Sequence, residues 1–118
     1  MRLMEAPKRK VRLAINGFGR IGRLVFRAAF DNPDIEIVLI NDLGGAQNSA
    51  YFLKHDTSYG PFPHDFYVDY DTFVFNDGRR TKVIVEKDLN HLPWGQWDID
   101  VVAECTGLFT NAEQAEIS

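Results

Sequence analysis

Three glycines in Asn16-Gly17-Phe18-Gly19-Arg20-Ile21-Gly22-Arg23 carry the spacing in this chain that points most directly to chemistry. G-x-G-x-x-G after a short apolar strand and before a helix is suited to holding a diphosphate. Gly17 can turn the chain tightly, Gly19 lets the backbone approach phosphate without a Cβ in the way, and Gly22 lets the new helix pack against the strand. The first turn of that helix offers unpaired N–H groups and a partial positive charge to the anion. The glycine pattern alone is weak; a strand before it and an acid after it make it specific.

That acid is Asp42, in Asn41-Asp42 at the end of the run Ile35-Glu36-Ile37-Val38-Leu39-Ile40. A carboxylate at this strand tip accepts hydrogen bonds from the diol of an adenosine ribose and repels a 2′-phosphate. Two like charges about 4 Å apart repel by roughly 1 kcal/mol in water and about 4 kcal/mol at a half-buried surface, which favours NAD over NADP.

The elements that must position these groups are legible around them. Val11, Leu13, Ala14 and Ile15 give the first strand. A helix over 20–30 follows and is stopped by Asp31-Asn32-Pro33-Asp34, so residues 11–42 form one βαβ unit. Ala46–Lys54 has helical spacing and ends near His55. Phe66, Val68 and Tyr70 alternate with polar residues, and so do Phe73 and Phe75, an antiparallel patch in which Asn76-Asp77-Gly78 predicts a hairpin turn into a strand near 81–86 that can rejoin the parallel sheet. Ile99–Glu104 reads as a buried fourth parallel strand. Thr110-Asn111-Ala112-Glu113 is a capping box opening a helix that reaches Ser118 after about two turns. The expected fold is α/β, a Rossmann-type doubly wound parallel sheet comprising its first half plus strand 4, with a small antiparallel insertion. The expected domains are an N-terminal arm, 1–10, and an incomplete NAD-binding domain, 11–118. Strands 5 and 6 of the order 3-2-1-4-5-6 have no counterpart in this sequence, so the outer edge of strand 4 is expected to be open to self-association.

Composition narrows the classes. With 118 residues, 45% of them hydrophobic and 25% charged, the chain supports one globular domain. A net charge of −4 gives no general attraction to nucleic acid or anionic membrane. Lys8-Arg9-Lys10 reads as a solvated arm. No apolar run nears membrane-spanning length, and Met1–Lys10 lacks the apolar core of a signal peptide, so a cytoplasmic location is expected. One cysteine excludes an intrachain disulfide, and no Cys/His/Asp spacing suggests a metal.

The glycine string, Asn41-Asp42, Leu53-Lys54-His55-Asp56, Leu92-Pro93-Trp94 and Glu104-Cys105-Thr106-Gly107-Leu108-Phe109-Thr110 together resemble the N-terminal NAD-binding domain of phosphorylating glyceraldehyde-3-phosphate dehydrogenases, over residues 11–118. The resemblance implies a cofactor site at Gly17, Phe18, Gly19, Arg20, Ile21, Gly22, Asn41, Asp42, Lys87, Thr106, Gly107 and Phe109. The N–H groups of Arg20 and Ile21 would take the NAD pyrophosphate and Asp42 the adenosine ribose. The backbone of Glu86-Lys87-Asp88 would lie beside the adenine, with Thr106, Gly107 and Phe109 opposite. Lys87 stands where the family usually has Arg, and Cys105 where it usually has Ser. Leu43-Gly44-Gly45 departs in part: NADP-tolerant plastid-type members carry small residues and a Gly-Gly pair here, whereas Leu43 keeps the bulky NAD-type residue.

By the same resemblance the complete enzyme is a homotetramer that oxidises and phosphorylates glyceraldehyde 3-phosphate, using inorganic phosphate and a cysteine nucleophile in a Ser-Cys-Thr-Thr context absent from this sequence. Cys105, in Glu-Cys-Thr-Gly at a strand end, does not match that context and is expected to pack in the cofactor floor. His55, His64 and His91 have no dyad partner, Trp94 and Trp97 are expected to pack a loop on the sheet, and Asp98 and Asp100 read as solvated charges. No catalytic residue is assigned; the chain alone should bind nucleotide and catalyse nothing. The alternatives are the cofactor domain of an erythrose-4-phosphate dehydrogenase and a stand-alone nucleotide-binding or interaction module.

Overall fold

The computed structural model describes residues 9–106. Its elements are β1 (Val11–Asn16), α1 (Arg20–Phe30), β2 (Ile35–Asn41), α2 (Gly45–Lys54), β3 (Phe66–Asp69), β4 (Thr72–Phe75), β5 (Arg80–Ile84), a 3₁₀ turn (Leu89–His91) and β6 (Val101–Glu104). The six strands form one sheet in the order β3-β4-β5-β2-β1-β6. β5, β2, β1 and β6 are parallel neighbours, which is the 3-2-1-4 half of a doubly wound sheet. β3 and β4 extend the same sheet antiparallel beyond β5. β5 therefore closes the predicted hairpin on one side and rejoins the parallel sheet on the other.

The Asn76–Gly78 turn forms as predicted, with Gly78 N–H donating to Phe75 O at 2.9 Å and φ of +96° at Gly78. Tyr70 does not continue the alternation that begins at Phe66. It has a φ of +64° and stands 96% exposed in the tight β3–β4 turn, so the segment 66–75 is two strands. The helix opened by Thr110 and the last predicted site residues, Gly107 and Phe109, lie outside the described residues.

Strand alternation sorts the core onto two faces. Leu13 and Ile15 of β1 point toward α1 and α2, where Phe26, Phe30 and Leu53 are buried with Phe66, Phe73 and Phe75. Phe26 meets Phe18, Phe30, Phe62, Phe73 and Phe75 with ring centroids 5.5–6.5 Å apart. Ala14 points the other way, with Val38 and Leu39, and Trp94 and Trp97 pack over them as the sequence predicted; Ile99 packs there too, just before β6, which begins at Val101 rather than at Ile99. β2 carries one extra residue: Leu13 pairs with Ile37 but Ala14 pairs with Leu39, leaving Val38 without a register partner. Beyond this bulge Ile40 stands beside Ile15 and Asn41 beside Asn16.

Of the two charges predicted to be solvated, Asp98 is exposed and Asp100 has structural partners. Asp100 accepts Arg12 N–H at 2.8 Å and the Arg9 guanidinium at 2.7 Å, and these hold its carboxyl below the usual range. Arg9 thus ties the end of the basic arm to the strand entrance. Asp98, at φ +54°, turns its carbonyl to Arg12 Nε at 3.1 Å. Both partners come from β1 or just before it, more than 80 positions away in the chain, so no local pattern announces them.

Candidate cofactor-binding site

A cleft of about 490 Å³ opens at the C-terminal ends of β1, β2, β5 and β6, the position where parallel α/β sheets place ligands. The chain leaves β1 at Asn16 and turns at Gly17, where φ is +99°. A Cβ there would lie 2.7 Å from the backbone of Cys105 and Thr106, so the glycine turn and the β6 loop touch through a position that tolerates no side chain. Gly17 N–H donates to Asn41 O and Cys105 N–H to Asn16 O, each at 2.7 Å. Gly22, one turn into α1, lies so close beneath this loop that its Cβ would come within 2.1 Å of Gly17 O.

Gly19 is different. A Cβ there meets nothing within 4 Å, and its φ is −79°. The residue is the N-cap of α1, no side chain caps the helix, and its first turn contains no acid. The helix therefore starts, with no side-chain cap, at an open position on the cleft. An uncapped helix start behind a Cβ-free approach is what a diphosphate requires.

Asp42 begins the loop after β2, with its N–H on Ile84 O at 2.9 Å. Its Oδ1 accepts Phe18 N–H at 3.1 Å; its Oδ2 accepts Gly44 N–H and the Ser49 hydroxyl, each at 3.2 Å. The carboxylate thereby links the glycine turn to α2 on the cleft wall.

Behind it a chain of side-chain hydrogen bonds crosses all four parallel strand ends. Glu86 N–H donates to Asn41 Oδ1 (2.8 Å), and Asn41 Nδ2 donates to Asn16 Oδ1 (2.8 Å) and Glu86 O (3.0 Å). Asn16 Nδ2 donates to Glu104 Oε1 at 2.9 Å, while Glu104 Oε2 accepts the Thr106 hydroxyl at 2.6 Å. Asn16 and Asn41 are almost wholly buried. Their amides are joined by one hydrogen bond, and their remaining bonds to Glu86 and Glu104 fix the two loops, 86–88 and 104–106, on either side of the cleft.

Of the residues singled out from sequence, Gly17, Phe18, Gly19, Asn41, Asp42, Lys87 and Thr106 line the cleft. Phe18 contributes backbone only, since its ring is buried against Phe26. Arg20 and Ile21 are exposed at the start of α1, and Gly22 is buried beneath the turn. Sequence reasoning placed the Glu86 backbone beside the adenine but did not assign Asn16, Asn48, Ser49 or Glu104 to the site. For Asn16 a signal existed: an amide ending an apolar strand, repeated at Asn41. Cys105 lines the floor, where burial and then the Glu104 charge push its thiol above the ordinary range. This is the packed residue expected, not an activated nucleophile. Among the described residues no group of three His, Cys, Asp or Glu side chains could hold a metal ion, and no helix is long and apolar enough to cross a membrane.

Residues 11–112 match the model of the family described as glyceraldehyde 3-phosphate dehydrogenase, NAD binding domain. The chromosomal glyceraldehyde-3-phosphate dehydrogenase of Cupriavidus necator is 49% identical over 108 residues, covering 89% of this chain and 32% of that protein. That of Clostridium pasteurianum is 50% identical over 105 residues (89% and 31%), and that of Thermotoga maritima 47% over 109 residues (90% and 32%). The chain spans about a third of the length of these curated relatives. With the glycine turn, the strand-end acid and the 3-2-1-4 sheet in place, the chain belongs to the NAD-binding domain family of the glyceraldehyde 3-phosphate dehydrogenases, and its cofactor is NAD.

Proposed function

We propose that this chain holds the adenosine half of NAD within an enzyme that oxidises and phosphorylates glyceraldehyde 3-phosphate. The pyrophosphate lies on the N–H groups of Arg20 and Ile21, Asp42 takes the ribose diol, and the adenine sits between Lys87 and the Thr106, Gly107 and Phe109 segment. The observation that carries this reading is the pairing of an open Gly19, before an uncapped helix, with a half-buried carboxylate fixed across the same cleft. NAD supplies a hydride acceptor; these residues bind and orient it. The chain by itself binds nucleotide without turning over substrate: its one cysteine, Cys105, is pushed toward the neutral thiol by burial and the Glu104 charge. The same reading makes the enzyme cytoplasmic and homotetrameric. The names of the relatives give the erythrose-4-phosphate alternative no support.

Calorimetry tests the site. Wild-type protein should bind NAD and ADP-ribose more tightly than NADP, and Asp42→Ala should reduce that preference. Equal affinity of the wild type for NAD and NADP would remove Asp42 from the ribose.

A further inference from the structure

We propose that Ser49 is a positioning residue that sets the preference for NAD over NADP by holding the Asp42 carboxylate in place; this rests on the ribose reading given above. Ser49 lies on the buried face of α2 with Ala46, Ala50 and Leu53, and the residue is only 1% exposed. A hydroxyl among such neighbours is unfavourable unless it is hydrogen-bonded. Its bond goes to Asp42 Oδ2 at 3.2 Å.

An ionised carboxylate has about four acceptor positions. Here the N–H groups of Phe18 and Gly44 and the hydroxyl of Ser49 occupy three. Two of those donors belong to loop backbone at the cleft rim; Ser49 alone comes from the buried side of a helix. It anchors the carboxylate to the rigid part of the domain. Gly44 keeps the approach to Asp42 clear, since a Cβ there would reach within 3.1 Å of Oδ2.

The consequence concerns selectivity more than affinity. Asp42 repels a 2′-phosphate only if it cannot swing away when one arrives. Without the Ser49 hydroxyl, rotation of the carboxylate sacrifices fewer hydrogen bonds, so a 2′-phosphate is better accommodated while the ribose diol loses a pre-oriented acceptor.

The test is calorimetric titration of the 118-residue chain with NAD, NADP and 2′-deoxyadenosine-NAD, using wild type, Ser49→Ala, Ser49→Thr and Asp42→Ala, with thermal melts of each. The Ser49→Ala variant should bind NAD about three- to tenfold more weakly, as for loss of one ordinary hydrogen bond. Its NADP affinity should stay level or rise, so the NAD/NADP ratio falls. Binding of the 2′-deoxy analogue should change less than that of NAD, and Ser49→Thr should restore the ratio. A Ser49→Ala variant that melts lower but keeps the wild-type ratio would overturn the proposal, because Ser49 would then only pack α2. If wild type shows no preference, or Asp42→Ala leaves the ratio unchanged, the ribose reading falls and this inference with it.

Discussion

Arg23 Nε lies 2.8 Å from Oδ2 of Asp56, an ion pair that joins the first turn of α1 to the loop after α2. The Asp56 side chain is wholly buried, and the Arg23 side chain retains 14% exposure. Arg23 also reaches Phe18 O at 3.3 Å, and its guanidinium lies over the Phe52 ring. The pair therefore braces the glycine turn from behind, on the side away from the cleft.

Asp56 should dominate the acid limb of the stability curve. Burial acts to raise its pKa, but the Arg23 hydrogen bond and the Tyr59 and Ser58 N–H groups outweigh this and hold it down to about 2, from 3.8. A carboxylate with a depressed pKa stabilises the fold above its unfolded value, and the contribution disappears as pH falls from about 4 toward 2. The shift corresponds to about 2 kcal/mol. Denaturant melts at pH 6 and pH 2.5 should show the loss. Asp56→Asn should cost about 3 kcal/mol at pH 6 by leaving Arg23 unpaired, and its stability should fall less steeply with acid.

Gly19 and Gly22 should separate binding from folding. The Gly19→Val variant adds carbon to open space at an allowed φ, so it should abolish detectable ADP-ribose binding. Its stability loss should be about 1 kcal/mol, as for an unfavourable N-cap residue. In Gly22→Ala the new Cβ would meet the Gly17 carbonyl, and the protein should lose stability severely or fail to fold. Thermal melts beside calorimetry read both effects; unchanged ADP-ribose affinity in Gly19→Val would move the phosphates elsewhere.

Cys105 should be a slow thiol. Its raised pKa predicts alkylation by iodoacetamide at pH 7.5 well below the rate of a free cysteine, with the rise in rate displaced to higher pH than for a free cysteine. Bound NAD should slow it further, since the residue lies in the cleft floor. Mass spectrometry over a time course measures both.

The outer edge of β6 should mediate self-association. Among the described residues β6 pairs only with β1, and Val101 stands half exposed. Open backbone groups beside an apolar side chain are a template for strand pairing. Val101→Lys should shift the sedimentation profile toward monomer, and it leaves the packing of Val102 against Ala14, Val38 and Leu39 intact.

Much of the architecture was legible because its signals are local. Glycine spacing, the Asp31–Asp34 stop, the apolar run before Asn41 and the Asn76–Gly78 turn each act over a few residues. Gly17 and Gly22 fit their sequence reading because the close approaches occur within the motif or at the next parallel strand. What was not legible depends on partners brought together by the sheet. Asp100 looks solvated until Arg9 and Arg12 arrive from the entrance to β1. Tyr70 fits the alternation of Phe66 and Val68 until pairing of β3 with β4 forces a reversal there. Ser49 looks like a neutral helix residue until α2 is laid beside Asp42.

The extra residue at Val38 has a consequence for how this site can be altered. Counting back from Asn16, an unbroken register would set Ile40, not Asn41, opposite it, with an apolar side chain where the paired amides now meet. The polar seam across the strand ends is thus written in the length of β2 as much as in its composition. Removing one codon from that strand would change the parity of everything between the bulge and the cleft, a rearrangement that no single side-chain substitution reproduces. In this domain the spacing of the chain works as a ratchet: the site can be tuned at each tooth, but moved only a whole tooth at a time.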